Sequence, residues 1–211
     1  MPARHKRYPG VELVALPEAD HTGMPVEEAL KQRRSVRNYS SKPMTLAQLS
    51  QLLFSAQGVT GSAGGLSLRT APSAGALYPF EIYVVANRVE GLKRGIYHYV
   101  VGKHALELVK GGDQAGKLSE AGLGQETLRD AAVTFVLCGV FDRTRSKYGE
   151  RGFRYVYIEA GHIAQNISLQ AVSLGLGSVP VGAFFDAEVN ELVGVDGLKE
   201  AAILLVPAGK L

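Results

Sequence analysis

Hydrophobic positions in this chain change their spacing several times, and the changes mark out its elements. From Phe153 to Leu174, apolar residues recur at three- and four-residue steps through Val156, Ile158, Ile163, Ile167, Leu169, Val172 and Leu174. That spacing builds one broad apolar face on a helix. No proline interrupts the run and Gly161 is its one internal glycine, so a helix over about 154–174 is predicted. At ~1.5 Å per residue it spans about 30 Å, and Gly175 supplies the stop. Leu46, Leu49, Leu52, Leu53 and Ala56 repeat the pattern after Thr45 and Gln48, a capping-box pair, with Gly58 closing the helix. Beyond Pro25, VEEALKQRRS passes from acids to bases. This order complements a helix dipole and predicts a short helix over 26–33.

Elsewhere the apolar residues are contiguous. Phe80–Ala86 and Val133–Phe141 read as strands, and GIYHYVV and ALELV, separated by Gly102, Lys103 and His104, read as a β-hairpin. Shorter strands are predicted at 178–181 and 201–206, and short helices at 113–122, 125–131 and near 187–193. GVTGSAGGLSLRTAPSAGALYP has glycine at 58, 61, 64, 65 and 75 and no period. It is read as a loop, long enough to point to function, and DRTRSKYGERG is read as a second loop. Residues 1–24, punctuated by prolines, are expected to form an extended arm. Strands and helices mix without βαβ alternation, which predicts an α+β layered architecture and excludes a doubly wound one.

Composition adds limits. With 211 residues, 46% hydrophobic and 20% charged, the chain suits one compact domain or at most two small ones. Its net charge of +3, from 23 basic and 20 acidic residues, is too small to indicate nucleic acid. The single cysteine, Cys138, lies in VTFVLCGVF, where a thiol serves as a small hydrophobe and a disulfide has no second half. The basic N-terminus lacks a signal-peptide apolar core, and no apolar run approaches the ~18 residues of a membrane span. A soluble, cytoplasmic protein is expected.

The candidate chemistry comes from polar residues that break these patterns. Glu159, His162, Gln165 and Asn166 fall in the middle of the long helix. Buried polar groups are costly without partners, so they imply a subunit interface, a ligand or a satisfied core network. HIAQN offers His162 no second metal ligand. GLGSVPVG follows a helix instead of opening one, which excludes a Rossmann fingerprint, and Ser73 in APSAG lacks a nucleophile elbow. RRSVR places three guanidiniums and a hydroxyl within five residues. That set suits a phosphate, although a solvated basic helix end has the same composition.

A short helix ending in RRSVR, the loop PSAGALYP before a strand, and GLGSVPVGAF after the long helix together resemble the nitroreductase-type flavoproteins over nearly the whole chain. Within that superfamily, YGERGFRYVYIEAGHIAQNISLQA with PSAGALYP is most similar to the azoline dehydrogenases, which oxidise peptide thiazolines and oxazolines to thiazoles and oxazoles. The resemblance implies a three-layer sandwich with a central, mostly antiparallel sheet flanked by helices. In that reading, residues 25–211 form a single FMN-binding domain and the helix at 154–174 lies at a homodimer interface. FMN is then shared between subunits, with NAD(P)H a possible co-substrate.

By position, Arg33, Ser35 and Arg37 match binders of the flavin phosphate and ribityl chain, and Arg34 shares their motif. Pro72, Ser73 and Ala74 match the loop that reaches the flavin from the partner subunit. Val181 and Gly182 match the turn whose N–H groups face flavin N5. Many nitroreductases carry Asn where this chain has Ala76, and many extend past the last strand to bring another basic residue to the phosphate. Here Lys210 is the candidate for that contact, and the N-terminal arm for the surface the extension covers.

Lys147 and Tyr148 match the Lys-Tyr pair implicated in removing a proton while hydride leaves for the flavin, with Arg143, Arg145 and Arg151 as neighbouring cations. The expected function is therefore FMN-dependent azoline oxidation. The alternatives are an NAD(P)H-dependent reductase of nitroaromatics or quinones and an inert flavin-binding partner or sensor protein.

Overall fold

The central strands are mostly apolar because both of their faces are covered. In the computed structural model, which describes residues 6–211, β4 (Phe80–Ala86) is buried at every position. Alternate side chains go to two separate cores. Ile82 and Val84 of β4, with Phe135 and Leu137 of β7 (Val133–Val140), point to one, and Tyr83, Val85, Val136 and Cys138 point to the other. This is the period of two expected of a pleated strand. Five further strands complete the sheet: β1 (Leu13–Ala15), β5 (Gly95–Val100), β6 (Ala105–Gly111), β8 (Leu176–Ser178) and β9 (Glu200–Lys210). Their order is β1-β6-β5-β4-β7-β9-β8, and every ladder is antiparallel.

Helices α2 (Leu46–Gln57) and α6 (Arg151–Ser173) fill the first core, and α1 (Val26–Gln32) lies against α6. On the other face lie α3 (Ala115–Ala121), α4 (Glu126–Asp130) and α7 (Asp186–Val193). The protein is thus an α+β three-layer sandwich, as expected. The capping box of α2 is complete: the Gln48 N–H donates to Thr45 Oγ1 at 3.1 Å and the Thr45 N–H to Gln48 Oε1 at 3.0 Å. Gly175, with φ +67°, follows the end of α6. No described helix is long and apolar enough to cross a membrane.

Several expectations need correction. The stretch after Gly58 contains a hairpin, β2 (Val59–Ala63) and β3 (Leu66–Arg69), whose strand residues are largely exposed. DRTRSKY is no loop but belongs to α5 (Phe141–Tyr148), which buries Phe141, Arg143 and Thr144. Its charged appearance is misleading because the buried Arg143 pairs with Glu81 of β4. The strand expected at 178–181 lies earlier, at 176–178. Pro180 lacks an N–H to continue it, and Val181 rejoins the sheet only through two bonds with Leu205.

The N-terminal stretch adds an edge strand, pairing Leu13–Ala15 with Glu107–Ala105. Lys6 Nζ pins the same stretch to Glu200 at 2.7 Å and Tyr83 Oη at 2.6 Å. Of the four polar residues in the middle of α6, Glu159 alone is buried; His162 and Gln165 are exposed and Asn166 is half-buried. Tyr157 and Ile158 are also exposed on α6, at 55% and 49%.

Candidate active site

The sequence candidates fall into two groups. The first lies along the β8 edge of the sheet. Leaving α1, the chain forms a parallel bridge between Ser35 and Ser178, and the Val36 N–H donates to Ser178 O at 3.0 Å. Further on, the Ser40 N–H donates to Lys210 O at 2.8 Å. Two glycines permit this close approach. A Cβ on Gly177 would sit 2.7 Å from Val36 Cγ1, and one on Gly209 2.9 Å from Tyr39 Cγ. The segment presents an exposed Ser35 and Arg37 and a half-buried Arg33. Among the described residues neither Arg33 nor Arg37 forms an ion pair. Uncompensated guanidiniums beside a hydroxyl are a donor set that fits a phosphate.

Arg34 differs from its neighbours. Its Nη1 donates to Lys31 O at 2.9 Å and Arg33 O at 2.8 Å, capping the carboxyl end of α1. The two turn residues also differ. The Val181 N–H is committed to Leu205 O at 2.7 Å, so it is not available to a ligand. Gly182 is exposed and its N–H has no backbone partner among the described residues.

The second group gathers at the turn Pro72–Tyr78. Gly75 adopts φ +63°, and a Cβ there would lie 2.9 Å from both Lys147 Nζ and Tyr148 Oη. The two side chains at the end of α5 therefore converge on the backbone of this turn. Tyr148 is braced edge-on by Tyr155 of α6, with centroids 4.9 Å apart. Ala76 and Tyr78 hold positive φ angles of 51° and 45°, each costing about 1–3 kcal/mol that surrounding contacts must offset. The Tyr78 N–H donates to Ser73 Oγ at 2.8 Å, and Tyr78 Oη accepts from the Arg69 N–H at 3.1 Å. The Arg69 guanidinium stacks on the Tyr78 ring at 4.5 Å.

Arg143 and Arg145, expected as neighbouring cations for Lys147, are both paired, Arg143 with Glu81 and Arg145 with Asp142 and Glu150. Glu81 is held down at about 2: burial opposes ionisation, but His98 and Arg143 outweigh it.

Beneath the turn lies a polar cluster that sequence reasoning did not assign to the site. Glu159 is 3% exposed, and burial pushes its carboxyl up to about 7, against the opposing pull of Ser73, Arg69 and Gln57. Gln57 Nε2, Arg69 Nε and Glu159 Oε1 are all buried without a well-oriented hydrogen-bond partner. The other Gln57 atom, Oε1, accepts from Arg69 Nη1 at 2.8 Å. An acid on an otherwise buried helix face was a signal for Glu159. For Gln57 and Arg69 the sequence held none.

A model of the nitroreductase family matches residues 30–210. The chain belongs to the nitroreductase family. A nitroreductase-family protein of Methanocaldococcus jannaschii is 42% identical over 93% of this chain and 96% of its own length. The microcin B17-processing protein McbC of Escherichia coli is 30% identical over 65% of this chain, and the match spans about half of that relative, 52%. Among solved structures, a nitroreductase-family protein of Ralstonia eutropha superimposes with a TM-score of 0.81 at 28% identity, over 100% of this chain and 94% of its own. The protein is a nitroreductase-family oxidoreductase, and its candidate site residues lie on the framework of that fold.

Proposed function

We propose that the protein is an FMN-dependent azoline dehydrogenase, working as a homodimer on a thiazoline- or oxazoline-bearing peptide. The observation that carries this reading is the convergence of Lys147 Nζ and Tyr148 Oη on Gly75. A simple hydride exchange needs no such pair. Aromatising an azoline requires a base for one C–H and a hydride acceptor for the other. FMN, when bound, supplies the hydride acceptor. Arg33, Ser35 and Arg37 would hold its phosphate, with Lys210 as a further candidate for that contact, and the Gly182 N–H would be offered to the ring. Lys147 takes the proton, and Tyr148 donates a hydrogen bond that orients the ring being oxidised. Pro72, Ser73 and Ala74 form the wall of the pocket. The similarity to a microcin-processing protein supports a peptide substrate.

In this reading each site takes its Arg33–Arg37 segment from one subunit and its Pro72–Ala74 turn from the other. Exposed Tyr157 and Ile158 on α6 supply apolar surface for a two-fold contact, with Gln165 and Asn166 beside it.

A second reading is an NAD(P)H-dependent nitroreductase or quinone reductase, favoured by the 42% identical relative that matches nearly end to end. Stopped-flow reduction of the holoprotein separates the two. Rapid flavin reduction by an azoline peptide is expected; reduction by NAD(P)H alone, with no response to any azoline, would transfer the assignment to the reductase. Sedimentation should give twice the 22.5 kDa chain mass, whereas a monomer retaining flavin would contradict the shared site.

A further inference from the structure

We propose that Arg143 is a positioning residue for the Lys147–Tyr148 pair, tying the helix that carries the pair to the turn on which it converges. Arg143 and Lys147 are four residues apart on α5, so their side chains leave the same face of the helix. Lys147 Nζ lies beside Gly75 within the turn, and Arg143 Nη1 donates to the carbonyl of Tyr78 at the turn's end, at 3.4 Å. Its Nη2 donates to Glu81 of β4. One guanidinium, 5% exposed, thereby joins helix, turn and sheet. The other polar groups of Tyr78 are already committed, its N–H to Ser73 Oγ and its Oη to the Arg69 N–H, so the carbonyl is the handle left for α5.

The helix needs such a tie. α5 has only eight residues and ends at Gly149, with φ +55°, so its own length does not fix where Lys147 lies. Arg145 pairs with Asp142 and Glu150, in or next to the same helix, and Ser146 donates to Arg143 O. Among the described residues, Arg143 makes the one hydrogen bond from an α5 side chain to the turn. Its anchor is firm. Glu81 Oε1 also accepts the Lys6 N–H at 3.2 Å, and Glu81 Oε2 faces His98 Nε2 at 2.8 Å, while His98 Nδ1 faces Glu107 at 3.2 Å. Glu81, held down at about 2, remains a carboxylate wherever Lys147 could work. A planar guanidinium serves the carboxylate and the carbonyl at once through separate nitrogens, and an ammonium lacks that fixed fork. Proton abstraction demands hydrogen-bond reach, and a misplacement of ~1 Å can cost about a hundredfold in rate.

The inference rests on the proposed role of Lys147, and its test separates the two. Arg143→Lys keeps a charge beside Glu81 but loses the fork. It is expected to slow flavin reduction by an azoline peptide about ten- to a hundredfold, with reduction by NAD(P)H unchanged within about twofold. In a Lys147→Ala background the same substitution should slow reduction no further, because residues that act as a unit are non-additive. Equal slowing with both donors, or the same slowing with and without Lys147, would overturn the inference and leave Arg143 a brace of the fold alone. If Arg143→Lys does not fold, Arg143→Leu combined with Glu81→Gln, which removes both buried charges together, takes its place under the same criteria. A second arm uses no azoline. Amine labelling by trinitrobenzenesulfonate is followed at Lys147 and, as a reference, at exposed Lys117 of α3. Freed from the turn, Lys147 should label faster relative to Lys117 in the variant than in the wild type, and an unchanged ratio overturns the inference. If no azoline peptide reduces the flavin, the azoline reading fails and this arm decides alone.

Discussion

The two groups of candidate residues are built by opposite means. The Arg33–Arg37 segment lies along a sheet edge, admitted by the absence of side chains at Gly177 and Gly209, and its Arg33 and Arg37 form no ion pair with any described residue. The Pro72–Tyr78 turn is strained at Ala76 and Tyr78, braced by Arg69 and Ser73, and backed by a buried acid. An edge segment with free charges can grip an anion without reshaping the protein. A strained turn over a buried carboxyl can hold geometry to the accuracy that proton transfer demands, at a cost in stability. On the proposed reading, binding and chemistry fall to parts of the fold with different tolerances.

Substitutions should separate the two. The largest effect is expected at Lys147: Lys147→Ala should slow flavin reduction by an azoline ~10²–10⁴-fold, the usual contribution of general acid–base catalysis. Reduction by NAD(P)H and FMN affinity should change little, and stopped-flow with both donors checks this. An equal loss with both donors would place Lys147 in flavin binding and dissolve the distinction.

Next comes stability against pH. The folded value for Glu159, about 7, exceeds its ordinary value of 4.5, so the unfolded chain loses this proton first as pH rises. Its contribution is complete below pH 4.5, declines from there, and is gone above about pH 7.5, a loss on the order of 3 kcal/mol. Glu159→Gln cannot titrate. Urea denaturation at pH 4.5 and 8 should show the variant losing about 3 kcal/mol less than wild type across that interval.

On the binding side, Arg37→Ala should weaken FMN retention roughly ten- to a hundred-fold by removing a charge-assisted hydrogen bond, about 1.5–3 kcal/mol. Equilibrium titration checks it, and turnover per bound flavin should be preserved. The smallest effect belongs to Arg34→Ala. Because that guanidinium caps α1, the substitution should shift FMN affinity less than about threefold and lower stability by about 0.5–1.5 kcal/mol. An Arg34→Ala phenotype matching Arg37→Ala would return Arg34 to the clamp.

The same contrast explains what could be read from the sequence. RRSVR offers a candidate phosphate clamp in five consecutive letters, and α2, α6 and the central strands announce themselves through period and caps, because burial on a regular element leaves a regular trace. Hairpin β2–β3 buries almost nothing, so no alternation records it. In α5 the buried positions include Arg143 and Thr144, and a helix that buries charge against Glu81 reads as a polar loop. The convergence of Lys147 and Tyr148 on Gly75, and of Gln57, Arg69 and Glu159 below it, joins residues up to about a hundred positions apart. Local pattern carries no record of such meetings, and only the resemblance to known flavoproteins pointed to the Lys-Tyr pair.

The place of β9 in the sheet has a consequence for biosynthesis. Residues 200–210 lie between β7 and β8, so both neighbours leave the ribosome before the strand that must join them. Until it arrives, β7 is an open apolar edge of the kind that recruits strands from other chains. A nascent chain halted before residue 200 should therefore depend on chaperones to stay monodisperse. The sheet closes only once β9 has emerged, and the interval between the synthesis of β7 and that of β9 is the vulnerable one.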